Sequence, residues 1–210
     1  MKEYAIFRTG VLPTNTYVLF DSETKNCVVI DPAYDCSVVL KFIKDKEFNL
    51  LAILLTHGHF DHCGGVKLLT DYKKVKIFGS SKDVWMAKNA SKNQWGVFAH
   101  DCDITDFVDN LEGFFVEDFY FKVIETPGHT EGSVCYLIDD FMFSGDTLFD
   151  GSVGRTDLPG GSGTEMIRSL AKISKLDCDY IVLPGHESTT TLSEQKSCNP
   201  YLRLEAFDYD

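Results

Sequence analysis

Between Thr56 and Gly65 the chain reads Thr-His-Gly-His-Phe-Asp-His-Cys-Gly-Gly, which packs His57, His59, Asp61 and His62 into one short window. Imidazole nitrogen and carboxylate oxygen are donors that zinc and similar ions take at about 2.0 to 2.2 Å. Chance is a poor account of the window, because the whole chain holds only 6 His in 210 residues. Three further segments each follow an apolar run and each end on a potential ligand: Pro127-Gly128-His129, Ser144-Gly145-Asp146 and Pro184-Gly185-His186. Taken alone, His129 or His186 reads equally well as a turn histidine. Taken with the window, both read as metal ligands converging from separate loops, each preceded by a glycine that lets the backbone bend sharply enough to aim it.

The elements that must position these residues are partly legible. Residues 16–20 and 27–31 are β-branched, apolar runs joined by a polar turn, a hairpin pattern whose second strand ends at Asp31-Pro32. Asp35 is placed to cap a helix whose apolar positions are Val38, Val39, Phe42 and Ile43, with Lys41, Lys44 and Lys46 turned outward. Residues 50–55 are apolar without interruption, as expected of a strand inside a sheet covered on both faces. The histidine window follows directly, on a loop at that strand's C-terminal edge, where α/β folds place their sites. A helix is expected from about Val66, strands at 76–79, 119–125, 133–138, 141–144 and 180–183, and a helix at 165–173. Residues 82–110, with Trp85, Trp95 and Phe98 among polar neighbours, fit a core-covering helix or a substrate-facing cap equally well. Hairpin-rich first and last thirds suggest two facing sheets in a single domain over 1–210.

Composition narrows the setting. Asp plus Glu (32) exceed Lys plus Arg (20), for a net charge of -12, which argues against a nucleic-acid partner because binding a phosphate backbone relies on cations. Part of that acidity is local: Asp101, Asp103, Asp106, Asp109 and Glu112 crowd one stretch and read as a solvated face. The 7 cysteines are unpaired in pattern and read as reduced, mostly core thiols, Cys63 included. With no secretory leader and no membrane-length apolar run, the expected location is cytoplasmic, with no membrane partner. His100 reads as a surface histidine. Oligomeric state leaves no mark in the pattern.

The order His57-Gly58-His59-Phe60-Asp61-His62, His129, Asp146, His186 resembles the signature of the metallo-β-lactamase-fold superfamily through nearly the whole chain. The resemblance implies an αββα sandwich, two facing mixed sheets covered by helices, with the metals at one edge. It implies that His57, His59 and His129 hold one divalent ion, that Asp61, His62 and His186 hold a second, and that Asp146 bridges them. Spacing makes sense of this division: residues two apart in extended backbone point the same way, while a turn after Phe60 aims Asp61 and His62 elsewhere. Two such ions, zinc first, about 3.5 to 4 Å apart hold a bridging hydroxide near neutral pH.

Branches of the superfamily can be weighed on residues. Dizinc β-lactamases usually carry Cys where this chain has Asp146 or lack the Asp61-His62 pair, and flavin-linked diiron relatives carry Glu in place of His59. Gly145 to Phe149, Gly154-Arg155-Thr156-Asp157, Pro184 to Glu187 and Asn199-Pro200-Tyr201-Leu202 resemble the small bacterial hydroxyacylglutathione hydrolase-like, or glyoxalase II-like, group. The reaction implied is hydrolysis of a small-molecule acyl thioester or related ester, with Asp61 orienting the hydroxide. Arg155 is a candidate substrate contact, although an ion pair with Asp157 bracing the metal loop is the favoured role. Full-length glyoxalase II enzymes add a C-terminal helical region that grips glutathione. This chain is expected to lack it, so glutathione recognition does not follow automatically.

An alternative class is a mononuclear iron persulfide dioxygenase, since the Gly-Arg-Thr-Asp run is shared with that group. Two His and one carboxylate, here His57, His129 and Asp146, form a triad that leaves iron open to oxygen. A nuclease of the same fold is a weaker alternative, against which the acidic charge counts.

Overall fold

The computed structural model describes residues 2 to 202. One six-stranded sheet runs β1 (Lys2–Thr9), β2 (Thr14–Asp21), β3 (Asn26–Ile30), β4 (Asn49–Leu54), β5 (Lys76–Gly79), β6 (Asp106–Phe107) in that spatial order. A second is formed by β7 (Gly113–Val116), β8 (Phe119–Glu125), β9 (Val134–Ile138), β10 (Phe141–Gly145), β11 (Ile181–Pro184) and β12 (Thr190–Thr191), again in sequence order across the sheet. Both are mixed: β1 to β3 pair antiparallel and β3 to β6 parallel, while in the second sheet only β10 and β11 run parallel. The helices are α1 (Ser37–Asp45), α2 (Phe60–Cys63), α3 (Val66–Tyr72), α4 (Val84–Ala87), α5 (Gly163–Ser174) and α6 (Leu192–Cys198).

Side-chain alternation sorts the strands into layers. In β3, Val28 and Ile30 face the opposing sheet and meet Phe121, Tyr136 and Phe143, whereas Cys27 and Val29 face outward onto Val39, Ile43, Val66 and Leu69 of α1 and α3. The second sheet does the same: Tyr136 and Ile138 point inward while Cys135 and Leu137 pack on Met166, Leu170 and Ile173 of α5. Three apolar layers between four structural ones are the αββα sandwich expected. Each fully buried Leu, Ile, Val or Phe contributes about 1.5 to 3 kcal/mol of apolar transfer to this arrangement. Strands apolar on both faces, such as residues 50–55, are therefore required by the layering.

Several elements escaped the sequence pattern: β1, β6, β7, β12 and α6. β1 lies at an edge with a half-exposed alternation, and β6 and β12 have two residues each, too short for periodicity to register. Asp35 does not cap α1. It has φ of 59° and accepts from the Ser37 hydroxyl at 3.0 Å, and the cap residue is Cys36, with no side-chain capping bond. Val38 is also 46% exposed rather than packed inward. By contrast α5 is capped by Ser162, whose hydroxyl accepts from Glu165 N at 3.3 Å. Among the described residues no helix is long and apolar enough to cross a membrane. All 7 cysteines are free, five buried and two, Cys178 and Cys198, exposed.

Candidate metal centre

The ends of five strands deliver polar side chains to one edge of the sandwich: Asp31 after β3, His57 and His59 after β4, His129 after β8, Asp146 after β10 and His186 after β11. Asp61 and His62 lie on α2, a single turn entered from extended backbone at His59 (φ -64°, ψ 148°). That abrupt change from extended to helical backbone separates the aim of His59 from that of Asp61 and His62.

Two groups of donors result. Ring nitrogens of His57, His59 and His129 lie within 4.8 Å of one another, as do those of His62 and His186 with an Asp61 oxygen. Asp146 lies between: Oδ2 is 3.4 Å from His129 Nε2 and 3.5 Å from His186 Nε2, and Oδ1 is 3.4 Å from His62 Nε2. All seven residues singled out in the sequence thus converge. Asp31, His57 and His62 likewise bring ligand atoms within 4.8 Å of one another. Asp31 is already occupied, since Oδ1 accepts from Thr56 N at 2.8 Å and Oδ2 from the Thr56 hydroxyl at 2.6 Å and from His62 Nδ1 at 3.0 Å.

Outer hydrogen bonds fix which nitrogen of each ring faces the centre. A neutral imidazole has one N–H, and the other nitrogen is then a lone pair. His62 Nδ1 donates to Asp31, His129 Nδ1 to Arg155 O at 2.8 Å, and His186 Nδ1 to Pro13 O at 3.2 Å. His57 Nδ1 is 3.1 Å from Thr56 Oγ1, which has given its own proton to Asp31 and so accepts. In its neutral form each of these four rings therefore turns Nε2 inward as a lone pair, and Nε2 is the nitrogen from which a bound cation displaces any second proton. The inward nitrogens crowd together, with His57 Nε2 3.0 Å and His129 Nε2 2.8 Å from His59 Nδ1, and His62 Nε2 3.4 Å from His186 Nε2. Among the described residues, Asp146 Oδ1 is the one buried side-chain polar atom without a hydrogen-bond partner. Inward lone pairs and an orphaned carboxylate oxygen are the complement of bound cations, so the residues present fit a divalent-metal site.

Titration follows the same field. Burial and the neighbouring rings hold His57 well below its ordinary pKa, and burial with His129 lowers His59 to about 4. Burial opposes protonation of His62 too, but Asp146, Asp61 and Asp31 outweigh it and push the group up to about 10; His186 rises against burial through Asp61 and Asp146. Asp61 sits below the usual carboxylate range despite burial, held by His62 and by the hydrogen bond with His186. The side that attracts a proton in the absence of other charge is the side that attracts a cation.

Residues the motif did not reveal hold the loops in place. Buried Asp83 accepts from Gly58 N at 2.8 Å, Gly132 N at 2.9 Å and the Thr130 hydroxyl at 2.7 Å, tying the His57-His59 loop to the His129 loop. From β2, Asn15 Nδ2 donates to Pro184 O and Glu187 O at 3.0 Å each, and the Tyr17 hydroxyl donates to Pro184 O at 2.7 Å, which steadies the His186 loop. Asp31 carried a detectable signal, an acid ending an apolar strand as Asp146 does. The glycines act in two ways: Gly145 has φ of 50°, whereas Gly185 is needed for space, since a Cβ would collide with Asp146 Oδ1 and His62 Cε1.

A cavity of about 420 Å³ opens over these donors, walled by Leu12, Phe149, Trp95 and Leu158. Arg155 lines it and forms a two-pronged pair with Asp157, Nε to Oδ1 and Nη2 to Oδ2, both at 2.7 Å. Cys63 is fully buried with its thiol raised by burial, as a packed core residue should be. His100 is half-buried against Tyr34 and Phe98 rather than fully exposed. Of the crowded acids, Asp101 accepts from Ser91 N and Asp109 from Ser80 and Ser81, so they brace loops as well as face solvent.

Residues 9–186 match the Metallo-beta-lactamase superfamily, and the chain belongs to that superfamily: it is a metallo-hydrolase with a His/Asp divalent-metal centre. Hydroxyacylglutathione hydrolase GloC of Haemophilus influenzae is 34% identical over 200 residues, spanning 91% of this chain and 94% of that protein. The BLEG-1 B3 metallo-β-lactamase superposes with a TM-score of 0.89 at 33% identity, covering 95% of this chain and 99% of that one. TTHA1623, solved in a di-iron-bound form, gives 0.85 at 31% identity, with 94% and 100% covered. Ligand letters alone set the β-lactamase branch aside, and the likeness to BLEG-1 returns a protein of that name to the near relatives.

Proposed function

We propose that the protein hydrolyses acyl thioesters of the hydroxyacylglutathione type at a dinuclear centre held by His57, His59 and His129 on one side and Asp61, His62 and His186 on the other, with Asp146 between. The observation that carries the reading is the orphaned Asp146 Oδ1 set among inward-facing lone pairs on both sides. The name and nearly full-length match of GloC support the substrate class. Zinc is the favoured metal. Iron is supported by the di-iron form of TTHA1623.

Bound ions of this kind supply Lewis acidity, bringing the pKa of water toward neutrality and polarising a carbonyl oxygen. The chain's own part is positioning. Asp61, whose Oδ2 lies 3.3 Å from His186 Nε2 and 3.4 Å from the Thr14 hydroxyl, borders the cavity and is placed to orient the attacking water. Water's oxygen bonds to the acyl carbon, the C–S bond breaks, and the thiol departs with the displaced proton. A thiolate is a good leaving group, so no strong acid is required beside it. Phe149, Leu12 and Leu158 narrow the access of bulk water, and Arg155 offers a cation to an anionic substrate arm.

The test is kcat/KM for S-lactoylglutathione with zinc-loaded and iron-loaded protein, run beside nitrocefin, glutathione persulfide with oxygen consumption, and a precursor transfer RNA. Thioester turnover exceeding the others supports the proposal. Oxygen uptake with one iron per chain, lactam opening or RNA cleavage as the dominant activity replaces it.

A further inference from the structure

A second depression of about 270 Å³ adjoins the metal cavity and shares His59, Phe60, Trp95 and Leu158 with it. Trp85, Met86 and Pro159 extend its apolar surface away from the place where the scissile carbonyl would lie, and Asn89, Lys92, Asn93 and Gln94 supply polar atoms to its lining. Trp85 is 72% exposed and Trp95 45%, unusual for the most apolar-rich side chains of a chain that holds only 2 Trp. Exposed aromatic surface rimming a site marks a binding region.

The groove is also built in advance. Asn93 Oδ1 accepts from Trp95 N at 3.2 Å and Val97 N at 3.1 Å, while Nδ2 donates to Ala90 O at 3.0 Å and Val97 O at 2.6 Å. This one side chain fixes the loop that carries Trp95, and the Trp95 ring rests on Phe60, centroids 5.3 Å apart, immediately before Asp61. Trp85 stands two residues beyond Asp83, the staple of both metal loops. Charge is sparse: Lys92 lines the groove with its ammonium bonded to Asn89 Oδ1 at 3.1 Å.

We propose that this groove receives an uncharged, apolar arm of the substrate, aliphatic or aromatic, so that Trp85 and Trp95 set specificity by chain size. The proposal rests on the hydrolase reading above. The arm could belong to the acyl group or to the thiol, and two ester series separate these sources: N-acetylcysteamine thioesters from acetyl to octanoyl, and acetyl thioesters of alkanethiols from methyl to octyl. In one of the two series kcat/KM is expected to rise about two- to fourfold per added methylene until the groove is filled. Trp85→Ala should flatten that slope and cut the ratio between the six-carbon and the shortest member of the responding series about tenfold, while Trp85→Phe should retain most of it.

Because both tryptophans line the groove, their fluorescence reports its occupancy without turnover. Titrating the S-methyl and S-octyl thioethers of N-acetylcysteamine should shift the emission only for octyl, and should do so in Asp146→Ala as well. If esters are cleaved but both series are flat and the emission is unmoved, the groove proposal is overturned and the hydrolase reading stands. If no ester is cleaved yet the octyl thioether binds tightly and Trp85→Ala abolishes binding, the groove stands and the hydrolase reading falls.

Discussion

Asp83 and Trp85 stand two residues apart and belong to differently made regions. The Asp83 side chain is 2% exposed and its carboxylate takes three hydrogen bonds from two separate loops, whereas the Trp85 side chain is 72% exposed. The metal edge as a whole follows the first pattern: outer atoms of its rings are committed to Asp31, Thr56, Pro13 or Arg155 so that inner atoms have one direction to face. Its neighbouring groove follows the second, with apolar surface left open on short turns that are anchored to the core through Ala87, Ala90 and Ala99. Chemistry that depends on geometry within a few tenths of an ångström is thereby separated from contacts that can vary at little cost to stability.

The comparison is sharpened most by removing the residue at its centre. Asp146→Ala takes away contacts to His62, His129 and His186 together, and kcat/KM for the thioester should fall on the order of 10²- to 10³-fold or more, with metal content per chain falling in parallel. Elemental analysis beside the kinetics checks both, and an active, metal-free variant would refute the assignment.

Asp83→Asn comes next. It touches no donor atom of the centre, but an amide cannot accept at both ends, so either Gly132 N or the pair Gly58 N and Thr130 loses a partner. Metal affinity should weaken about 10- to 100-fold, measured by chelator competition. Trp85→Ala, by contrast, should leave both metal affinity and melting behaviour almost unmoved, within about 0.5 kcal/mol by denaturant titration. If the two variants behave alike, the regions are not built differently after all.

Proton linkage gives a third handle on the metal edge. In the ion-free site His62 is raised to about 10 by the carboxylates around it, so near neutral pH it carries a proton that a metal must displace. Affinity should therefore rise with pH, by about tenfold per unit for each proton released, over pH 6 to 8. Calorimetry in buffers of different ionisation enthalpy measures the proton count, and a pH-independent affinity would contradict the charge state assigned to His62.

How much of this was legible in the chain follows the same division. His57, His59, Asp61, His62, His129, Asp146 and His186 could be picked out because metal ligands must be particular residue types, and because they follow strands that announce themselves by continuous hydrophobicity or, before His129, by alternation. The layered fold was legible for that reason too. Asp83 was not, since a carboxylate that accepts backbone N–H groups has no required spacing to its partners: Asp83 reaches Gly132 across 49 positions. The 82–110 stretch read evenly as core cover or cap because its side chains divide, with Ala87, Ala90, Ala99, Cys102 and Ile104 buried and Trp85, Trp95 and Phe98 exposed. Alternation within short irregular turns has no period from which to separate two faces.

Arg155 tests the boundary between the regions, and its effect should be the smallest. The sequence favoured a brace formed with Asp157, and the pair does form, but both side chains are largely exposed, at 56% and 68%. What braces the metal loop is the Arg155 carbonyl, which accepts from His129 Nδ1 and survives any side-chain substitution. An exposed ion pair between residues two apart adds little to stability. Arg155→Ala should accordingly leave metal content and melting temperature unchanged, and raise KM for a glutathione thioester by a few-fold with kcat held. A neutral N-acetylcysteamine thioester should show no such change. Should Arg155→Ala instead lower the melting temperature and kcat while KM stays constant for both esters, the guanidinium is a brace for the metal edge, and the cavity has no cation assigned to its substrate.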